Sequence, residues 1–280
     1  MQINQYQIAT LIYNRLLEEE DRIRKVYQDT KATIGFFYID DLLPEDIALK
    51  IYGSFPNLED TVLKKSIREY KHVAVQMDRY DPILEDVIYA FQDKRIVSFF
   101  EKVCELEPLY PDEYLYAGGL SLMAKDNFLN PHLDNSHDKD RNLWRSFNLL
   151  YYVSPDWQLE NGGNLELWPH GLDDKQVTIV SKFNRLAVMA THNRSWHSVS
   201  KVTKDSVRCC VSNYYFSDKP HDETDAFHVT SFRGWPQQKA KDLLLKVDNA
   251  TRMAIRKLFK KGIRVTENTL YVGLHQLSQN

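Results

Sequence analysis

The sequence predicts an α+β fold in which helices come first, a β-rich core follows and a single helix comes last. Residues 5–28 repeat apolar side chains with the 3.6-residue period of an amphipathic helix, and residues 237–261 do the same near the carboxyl end. From Tyr114 onward, short apolar runs alternate with turn residues, which is typical of an all-β barrel or sandwich. A site built on strands is therefore expected in the middle of the chain.

The first part of the chain predicts a mixture of strands and helices. Residues 32–40 form an apolar run typical of a strand, and a helix is predicted to begin near Pro44, with acidic residues in its first turn. A short strand is expected at 72–77, and two helical stretches fill 82–106. We predict a support region at 1–110, a β core at 111–220, and a loop and helix packed on the core at 221–280.

Six strands are predicted in the β core, each bounded by turn residues. They lie near 115–124, 145–153, 164–168, 176–181, 185–191 and 207–216. Residues 217–235 are expected to form a polar loop region. The last helix has an apolar face that suits packing on the core, and covering a pocket or forming a homodimer stays open.

Composition excludes several classes of partner. The formal net charge of the 280 residues is -3, and no basic groove or base-stacking signature is visible, so no nucleic-acid partner is expected. No run of 18 apolar residues exists, so no membrane partner is expected either. The three cysteines, Cys104, Cys209 and Cys210, do not make a disulfide framework, and no secretory signal is visible. Reduced thiols and a cytoplasmic location are predicted.

A His-x-Asp motif in the β core predicts a metal site. His132 and Asp134 stand two residues apart, so in an extended segment they point to the same side and can bind one ion together. His197 follows much later and can come from a distant strand of a barrel. Two histidines and one carboxylate, with the other positions open, form the ligand set of non-haem Fe(II) oxygenases. These three residues are the candidate metal ligands and catalytic residues.

Other interpretations of these residues stay open on spacing alone. A His-x-Asp in a polar loop is common on protein surfaces, and His137, His170 and His192 are rival imidazoles. The acidic run that begins at Asp134 resembles the start of a calcium loop. It has Lys139 where that loop needs glycine and Arg145 where it needs glutamate, so calcium is excluded.

Arg208 opens the last predicted strand of the core and favours the iron interpretation. On a regular strand it shares a face with Cys210, Ser212 and Tyr214. A buried guanidinium needs an anionic partner, and the distal carboxylate of 2-oxoglutarate offers two oxygens to it. The alternative is that Arg208 points outward and pairs with Asp205, which would contribute little.

The segment from about Tyr114 to Pro220 resembles the 2-oxoglutarate/Fe(II) dioxygenases of the prolyl 4-hydroxylase-like superfamily. Six pieces match in order along the chain. They are His132–Asn135, Arg145–Trp157, the Gly162-Gly163 turn with Asn164–Leu167, Phe183–Val188, His197, and Arg208–Phe216. The resemblance implies a double-stranded β-helix, the jelly-roll core of these enzymes.

The resemblance also implies the cofactors and the residues that hold them. Fe(II) would be held by His132, Asp134 and His197. The co-substrate 2-oxoglutarate would be held at its distal carboxylate by Arg208. Ser212 and Tyr152 would form further hydrogen bonds with 2-oxoglutarate. Asn148 and Leu165 would face the same pocket. O₂ is the other co-substrate, and ascorbate is an optional reductant.

One position departs from the family pattern. Prolyl hydroxylases carry a tyrosine about ten residues before the first ligand histidine, whereas this chain has Leu122 and Met123 there. The contacts to the proximal end of 2-oxoglutarate are therefore expected to differ.

The expected reaction is hydroxylation of an unactivated C–H bond, with succinate and CO₂ as co-products. The substrate would be an amino acid, a peptide or protein (prolyl residues included), or a small biosynthetic molecule. Two alternatives stay open: a non-catalytic jelly-roll binding module, and a jelly-roll isomerase or hydrolase that uses another metal.

Overall fold

Thirteen antiparallel strands form one sheet that curls into a nearly closed barrel in the computed structural model, which describes residues 3–258. The strands are β1 (Phe36–Ile39), β2 (Val62–Lys65), β3 (Glu69–Ala74), β4 (Leu109–Pro111), β5 (Gly119–Met123), β6 (Phe128–Leu133), β7 (Trp144–Tyr152), β8 (Leu165–Leu167), β9 (Val177–Ile179), β10 (Arg185–Ala190), β11 (His197–Val199), β12 (Arg208–Ser217) and β13 (Ser231–Phe232).

The strand order is that of a jelly roll. Hydrogen-bonded neighbours run β1-β10-β7-β12-β5-β3-β6-β11-β8-β9, while β13 pairs with β6, β2 with β3 and β4 with β12. Successive strands of the core thus alternate between a layer that contains β5, β7, β10 and β12 and a layer that contains β6, β8 and β11. The predicted jelly-roll core within an α+β fold is confirmed.

Within residues 3–258, six α-helices accompany the barrel. They are α1 (Gln5–Glu18), α2 (Glu20–Thr30), α3 (Glu45–Gly53), α4 (Pro82–Ala90), α5 (Lys94–Cys104) and α6 (Lys239–Leu258). The apolar faces of α1, α2, α4 and α5 pack with the outer face of the layer that contains β7, β10 and β12, where Phe37, Leu186 and Val211 are buried. This covered face leaves the inner face of the layer free to line a pocket.

The inner face follows from the period of two along a strand. Ala187 and Met189 of β10 turn inward, beside Tyr152 of β7 and Cys210 of β12, and pack with Leu165 and Leu167 of β8. These side chains form an apolar floor at one end of the barrel interior.

The amino-terminal helix predicted at 5–28 is two helices. The chain leaves helical geometry at Glu19, with φ -103° and ψ 4°, before α2 begins. The Asn4 side chain accepts a hydrogen bond from the Gln7 N–H, and the Gln7 side chain accepts one from the Asn4 N–H, which fixes the start of α1. The predicted apolar period nevertheless continues across the break.

Strand β6 was missed because its sequence does not alternate. Asn130, Pro131 and His132 interrupt any apolar pattern, although all three are buried. Strands β1, β2, β3 and β13 lie outside residues 111–220 and still pair within the barrel sheet. The division of the chain at 110 and 220 stays a prediction.

The last helix begins at Lys239, and residues 259–261 of its predicted span lie outside the described residues. Leu244 and Val247 of this helix are 62% and 61% exposed, while Leu245 is fully buried and packs with Val202 and Phe232. Polar contacts also hold α6. Asp248 binds the Arg68 guanidinium through both oxygens, at 2.9 and 2.8 Å.

Candidate metal centre

The three predicted ligands lie together at one end of the barrel interior. His132 near the end of β6 pairs in register with His197 at the start of β11, and their ring centroids are 4.0 Å apart. Asp134 follows β6 directly. Its Oδ1 lies 3.7 Å from His132 Nε2, and its Oδ2 lies 3.9 Å from His197 Nε2. One ligand atom from each residue lies within 4.8 Å of the others, and all three residues are buried.

Backbone carbonyls fix the orientation of both imidazoles. His132 Nδ1 donates to the Asn130 carbonyl at 2.9 Å, and His197 Nδ1 donates to the Ser195 carbonyl at 2.9 Å. With its proton on Nδ1, each ring presents the lone pair of Nε2 toward the centre of the cluster.

An irregularity in β6 brings His132 into position. His132 pairs with His197, but Leu129 pairs with Val199, so β6 carries one residue more than β11 over this stretch. Pro131 lies at this bulge, where a residue without an N–H is tolerated. Asn130 holds the other side of the bulge, since its Nδ2 donates to the Ile67 carbonyl at 2.7 Å and its Oδ1 accepts from Lys241 of α6 at 3.0 Å.

The charge states suit a divalent cation. Burial, followed by the nearby His197, lowers the pKa of His132 to about 3, so its imidazole is neutral at pH 7. Burial acts to raise the pKa of Asp134, but Arg145 and the two imidazoles outweigh it and hold that pKa at about 2. At pH 7 the site therefore offers a carboxylate charge from Asp134 and a neutral nitrogen donor from His132.

The residues present fit Fe(II). Asp134 Oδ2 is buried and has no hydrogen-bond partner, which leaves a carboxylate oxygen for a metal. Two imidazoles and one carboxylate on one side of an ion leave its other positions open. The rival histidines are placed elsewhere: His192 Nε2 donates to the Ile34 carbonyl at 3.1 Å, His137 Nδ1 lies 2.8 Å from the Ser136 hydroxyl, and His170 is exposed.

Arg208 is buried at the start of β12 without an acidic partner. Its side chain is 3% exposed, its Nε has no hydrogen-bond acceptor, and its Nη2 donates only to the Met123 sulfur, at 3.1 Å. No carboxylate among residues 3–258 lies within 4.0 Å of the guanidinium, so the alternative pairing with Asp205 is not formed. A buried cation without a counter-ion is costly, and the site is complementary to an anionic ligand.

The other polar residues predicted for the pocket lie along strands β7 and β12, and Tyr152 is next to Arg208. The guanidinium carbon of Arg208 lies 5.2 Å from the centroid of the Tyr152 ring. Ser212 follows on the same face of β12, and its hydroxyl lies 3.9 Å from the Cys210 sulfur. Asn148 pairs in register with Tyr214, and its buried Oδ1 has no donor. These positions suit hydrogen bonds to a bound molecule, and their assignment to 2-oxoglutarate stays a prediction.

Several residues at the site carry no sequence signal that assigns them to it. Phe232 of β13 stacks on His132 with centroids 5.1 Å apart, and Asn249 of α6 forms hydrogen bonds with both the N–H and the carbonyl of Phe232. Arg145 lies beside Asp134, with Nη1 3.7 Å from Oδ1. Only the tertiary structure brings these residues to the ligands.

Comparison with known proteins agrees with this geometry. Residues 118–216 match the model of the 2OG-Fe(II) oxygenase superfamily. This stretch contains all three ligand candidates together with Arg208. No curated protein sequence matches the chain.

Solved structures show the same fold at low sequence identity. A prolyl-4-hydroxylase from Pseudomonas putida aligns with a TM-score of 0.52 and 16% identity, over 70% of this chain and 98% of its own. A prolyl 4-hydroxylase from Phytophthora capsici aligns with a TM-score of 0.51 and 17% identity, over 95% of this chain and 84% of its own. The α-ketoglutarate-dependent epimerase SnoN from nogalamycin biosynthesis aligns with a TM-score of 0.50 and 12% identity, over 72% of this chain and 84% of its own.

The jelly-roll barrel and its His-Asp-His cluster place the protein in the class of non-haem iron enzymes. Residues 118–216, which match the model of the 2OG-Fe(II) oxygenase superfamily, carry this cluster. Fe(II), 2-oxoglutarate and O₂ are accordingly the cofactor and co-substrates of the protein.

Proposed function

We propose that this oxygenase hydroxylates an unactivated C–H bond of an amino acid, a peptide or a small biosynthetic molecule, with succinate and CO₂ as co-products. Prolyl residues are included, since two of the similar structures are described as prolyl 4-hydroxylases. A substrate that is free and one that is carried on a protein both fit this proposal.

One observation carries the proposal. The buried Arg208 has no anionic partner among residues 3–258, and it lies in the same barrel as three convergent ligand atoms. A dicarboxylic 2-oxo acid would satisfy both features, because one end can bind a metal and the other can accept two hydrogen bonds from a guanidinium. A jelly-roll isomerase or hydrolase with another metal, or a binding module, would leave this cation unpaired.

The chain contributes binding, orientation and exclusion of water. Bound iron supplies the redox chemistry that couples 2-oxoglutarate to O₂. His132, Asp134 and His197 would hold the metal, and Arg208 would fix the far end of 2-oxoglutarate. Leu165, Met189 and Cys210 form an apolar wall that keeps bulk water from the pocket.

The proposal is tested without oxygen. Fe(II) and then 2-oxoglutarate are added to the protein, and the weak visible charge-transfer band of the chelate is recorded for wild type, His197→Gln and Arg208→Met. We expect a band only in the wild type. Metal binding without a band in the wild type would contradict a 2-oxoglutarate site.

The reaction is then tested in air. Succinate formation is measured with matched panels of amino acids, prolyl peptides and small metabolites. We expect at least one class to raise it above the rate without substrate. Equal rates with and without every candidate, in a protein that forms the chelate, would contradict a hydroxylase of these substrate classes.

We further propose that the enzyme works in a reducing compartment such as the cytoplasm. Cys104, Cys209 and Cys210 are buried free thiols, and their burial raises the pKa of each. Ascorbate as reductant and a homodimer stay predictions. Within residues 3–258, no helix combines the length and the apolar run that crossing a bilayer requires.

A further inference from the structure

A second buried guanidinium lies beside the metal-ligand candidate Asp134. Arg145 of β7 is 8% exposed, and its Nε is buried without a hydrogen-bond acceptor. Its guanidinium carbon lies over the Tyr214 ring, 4.6 Å from the ring centroid. Stacking of this kind leaves the N–H edge of the guanidinium free to bind a planar anion.

The acidic groups around Arg145 are already engaged. Its nearest carboxylate oxygen, Asp134 Oδ1, is 3.7 Å away, which is too long for a hydrogen bond. Asp112 accepts hydrogen bonds from the backbone N–H groups of Tyr116, Ala117 and Gly118 at 2.8 to 2.9 Å. Asp138 accepts from the N–H groups of Asn142 and Leu143. Among residues 3–258, no carboxylate other than that of Asp134 forms an ion pair with Arg145.

A bound metal would share the one carboxylate that faces Arg145. Asp134 Oδ1 is the only carboxylate oxygen among residues 3–258 within 4.0 Å of the Arg145 guanidinium, and Asp134 is also a candidate metal ligand. The buried Nε of Arg145 has no acceptor of its own, and a buried guanidinium that lacks a close partner is complementary to an anionic ligand.

We propose that Arg145 binds an anionic group of the substrate, a carboxylate or a phosphate, and so selects acidic substrates. This inference rests on the proposed function, because it takes the pocket beside Asp134 to be the substrate side of the iron. A carboxylate or phosphate that meets the free edge of the guanidinium forms two parallel hydrogen bonds. The bond to be hydroxylated would then lie within a few atoms of that group, because Arg145 adjoins a metal ligand.

The test measures anion binding directly. In the absence of oxygen, the Fe(II)–2-oxoglutarate chelate is formed in wild type, Arg145→Gln and Arg145→Lys. Arg141→Gln is the matched control, since Arg141 lies over the Phe227 ring and forms no contact with Asp134. Each protein is titrated with sodium acetate and with inorganic phosphate at constant ionic strength, and the visible band and the heat of binding are recorded.

We expect one of the two anions to bind saturably to wild type and to the Arg141→Gln control. Its affinity should be at least tenfold lower for Arg145→Gln and intermediate for Arg145→Lys. Acetate as the tighter probe indicates a carboxylic acid substrate, and phosphate indicates a phosphorylated one. Equal binding by wild type and Arg145→Gln, or no binding by wild type, overturns the inference.

Two further outcomes separate this inference from the proposed function. If Arg145→Gln loses the chelate itself, Arg145 serves to position Asp134 and the inference is overturned. If wild type forms no chelate, the proposed function fails, and calorimetry of the same anions on the metal-free protein still decides whether Arg145 binds them.

Discussion

The guanidinium of Arg208 donates to the sulfur of Met123 at 3.1 Å and has no anionic partner among residues 3–258. A thioether is a weak acceptor, so most of the hydrogen-bonding capacity of this buried cation is unused. The arrangement destabilises the ligand-free protein and favours an anionic ligand.

Replacement of Arg208 should therefore have opposite effects on binding and on stability. We expect Arg208→Met to weaken 2-oxoglutarate binding ~100-fold or more, since removal of one partner of a buried pair costs about 3 kcal/mol. The same change should raise the melting temperature of the protein without ligand. Calorimetric titration and thermal unfolding measure the two effects. Arg79→Met, at an exposed arginine, should change neither, and unchanged affinity in Arg208→Met would show that the co-substrate binds elsewhere.

Loss of a single ligand should abolish metal binding but not the fold. We expect His197→Gln and Asp134→Ala to reduce Fe(II) affinity by more than about 100-fold, because even changes around the ligands cost 10–100-fold. Anaerobic iron titration measures this, and 2-oxoglutarate turnover should fall with it. His170→Gln is the control, because that side chain is exposed. Wild-type turnover in both ligand variants would exclude this cluster as the iron site.

The sequence was informative where function follows from local spacing. The His-x-Asp pair needs only two residues on an extended segment, and Arg208 needs only a strand of period two. Both features could be predicted without knowledge of the neighbouring chain, and helix α1 followed from its apolar period.

Features that depend on contacts between distant segments could not be predicted. Strand β6 forms because β3 and β13 pair with a sequence that does not alternate. Arg145 lies next to Asp134 only in the folded protein. Helix α6 exposes Leu244 and buries Leu245, in an orientation that depends on apolar and polar contacts with distant segments of the chain.

Asn249 links this helix to the metal centre. Its Oδ1 accepts from the Phe232 N–H at 2.9 Å and its Nδ2 donates to the Phe232 carbonyl at 2.6 Å, while Phe232 stacks on His132. We expect Asn249→Ala to lower the free energy of unfolding by about 1–3 kcal/mol and Fe(II) affinity roughly tenfold. Denaturant unfolding and iron titration measure these effects. Thr251→Ala on the same helix is the control, and an iron affinity equal to wild type would limit Asn249 to a structural role.

The glycine pair before β8 should separate stability from co-substrate binding. Gly162 has φ +67°, and a Cβ there would lie 1.9 Å from the Lys201 carbonyl oxygen, so we expect Gly162→Ala to lose several kcal/mol of stability. At Gly163 (φ +65°) a Cβ would lie 3.0 Å from Arg208 Cδ. Gly163→Ala should therefore weaken 2-oxoglutarate binding more than Fe(II) binding.

Gly171→Ala is the control for this pair. It has φ +88° and nothing within 4 Å of a Cβ, so it carries backbone strain without a clash, and it should cost about 1 kcal/mol. Thermal unfolding and calorimetry of the three variants measure these effects. Equal destabilisation by Gly162→Ala and Gly171→Ala would show that the contact with Lys201 has little weight.

The buried His221 should make stability fall on acidification. Burial, and then the neighbouring His192, lowers the pKa of His221 to about 4, and its Nε2 lies 2.7 Å from the Tyr27 hydroxyl. In the unfolded chain its pKa is about 6.5, so between pH 6.5 and 4 the unfolded state binds more protons and the free energy of unfolding decreases as pH falls. We expect the loss between pH 7 and 4.5 to be roughly 2–3 kcal/mol smaller in His221→Gln than in wild type. Denaturant unfolding of the metal-free proteins at both pH values measures it. His170→Gln, at an exposed position, should lose as much stability as wild type, and an equal loss in His221→Gln would show that His221 takes up its proton without unfolding.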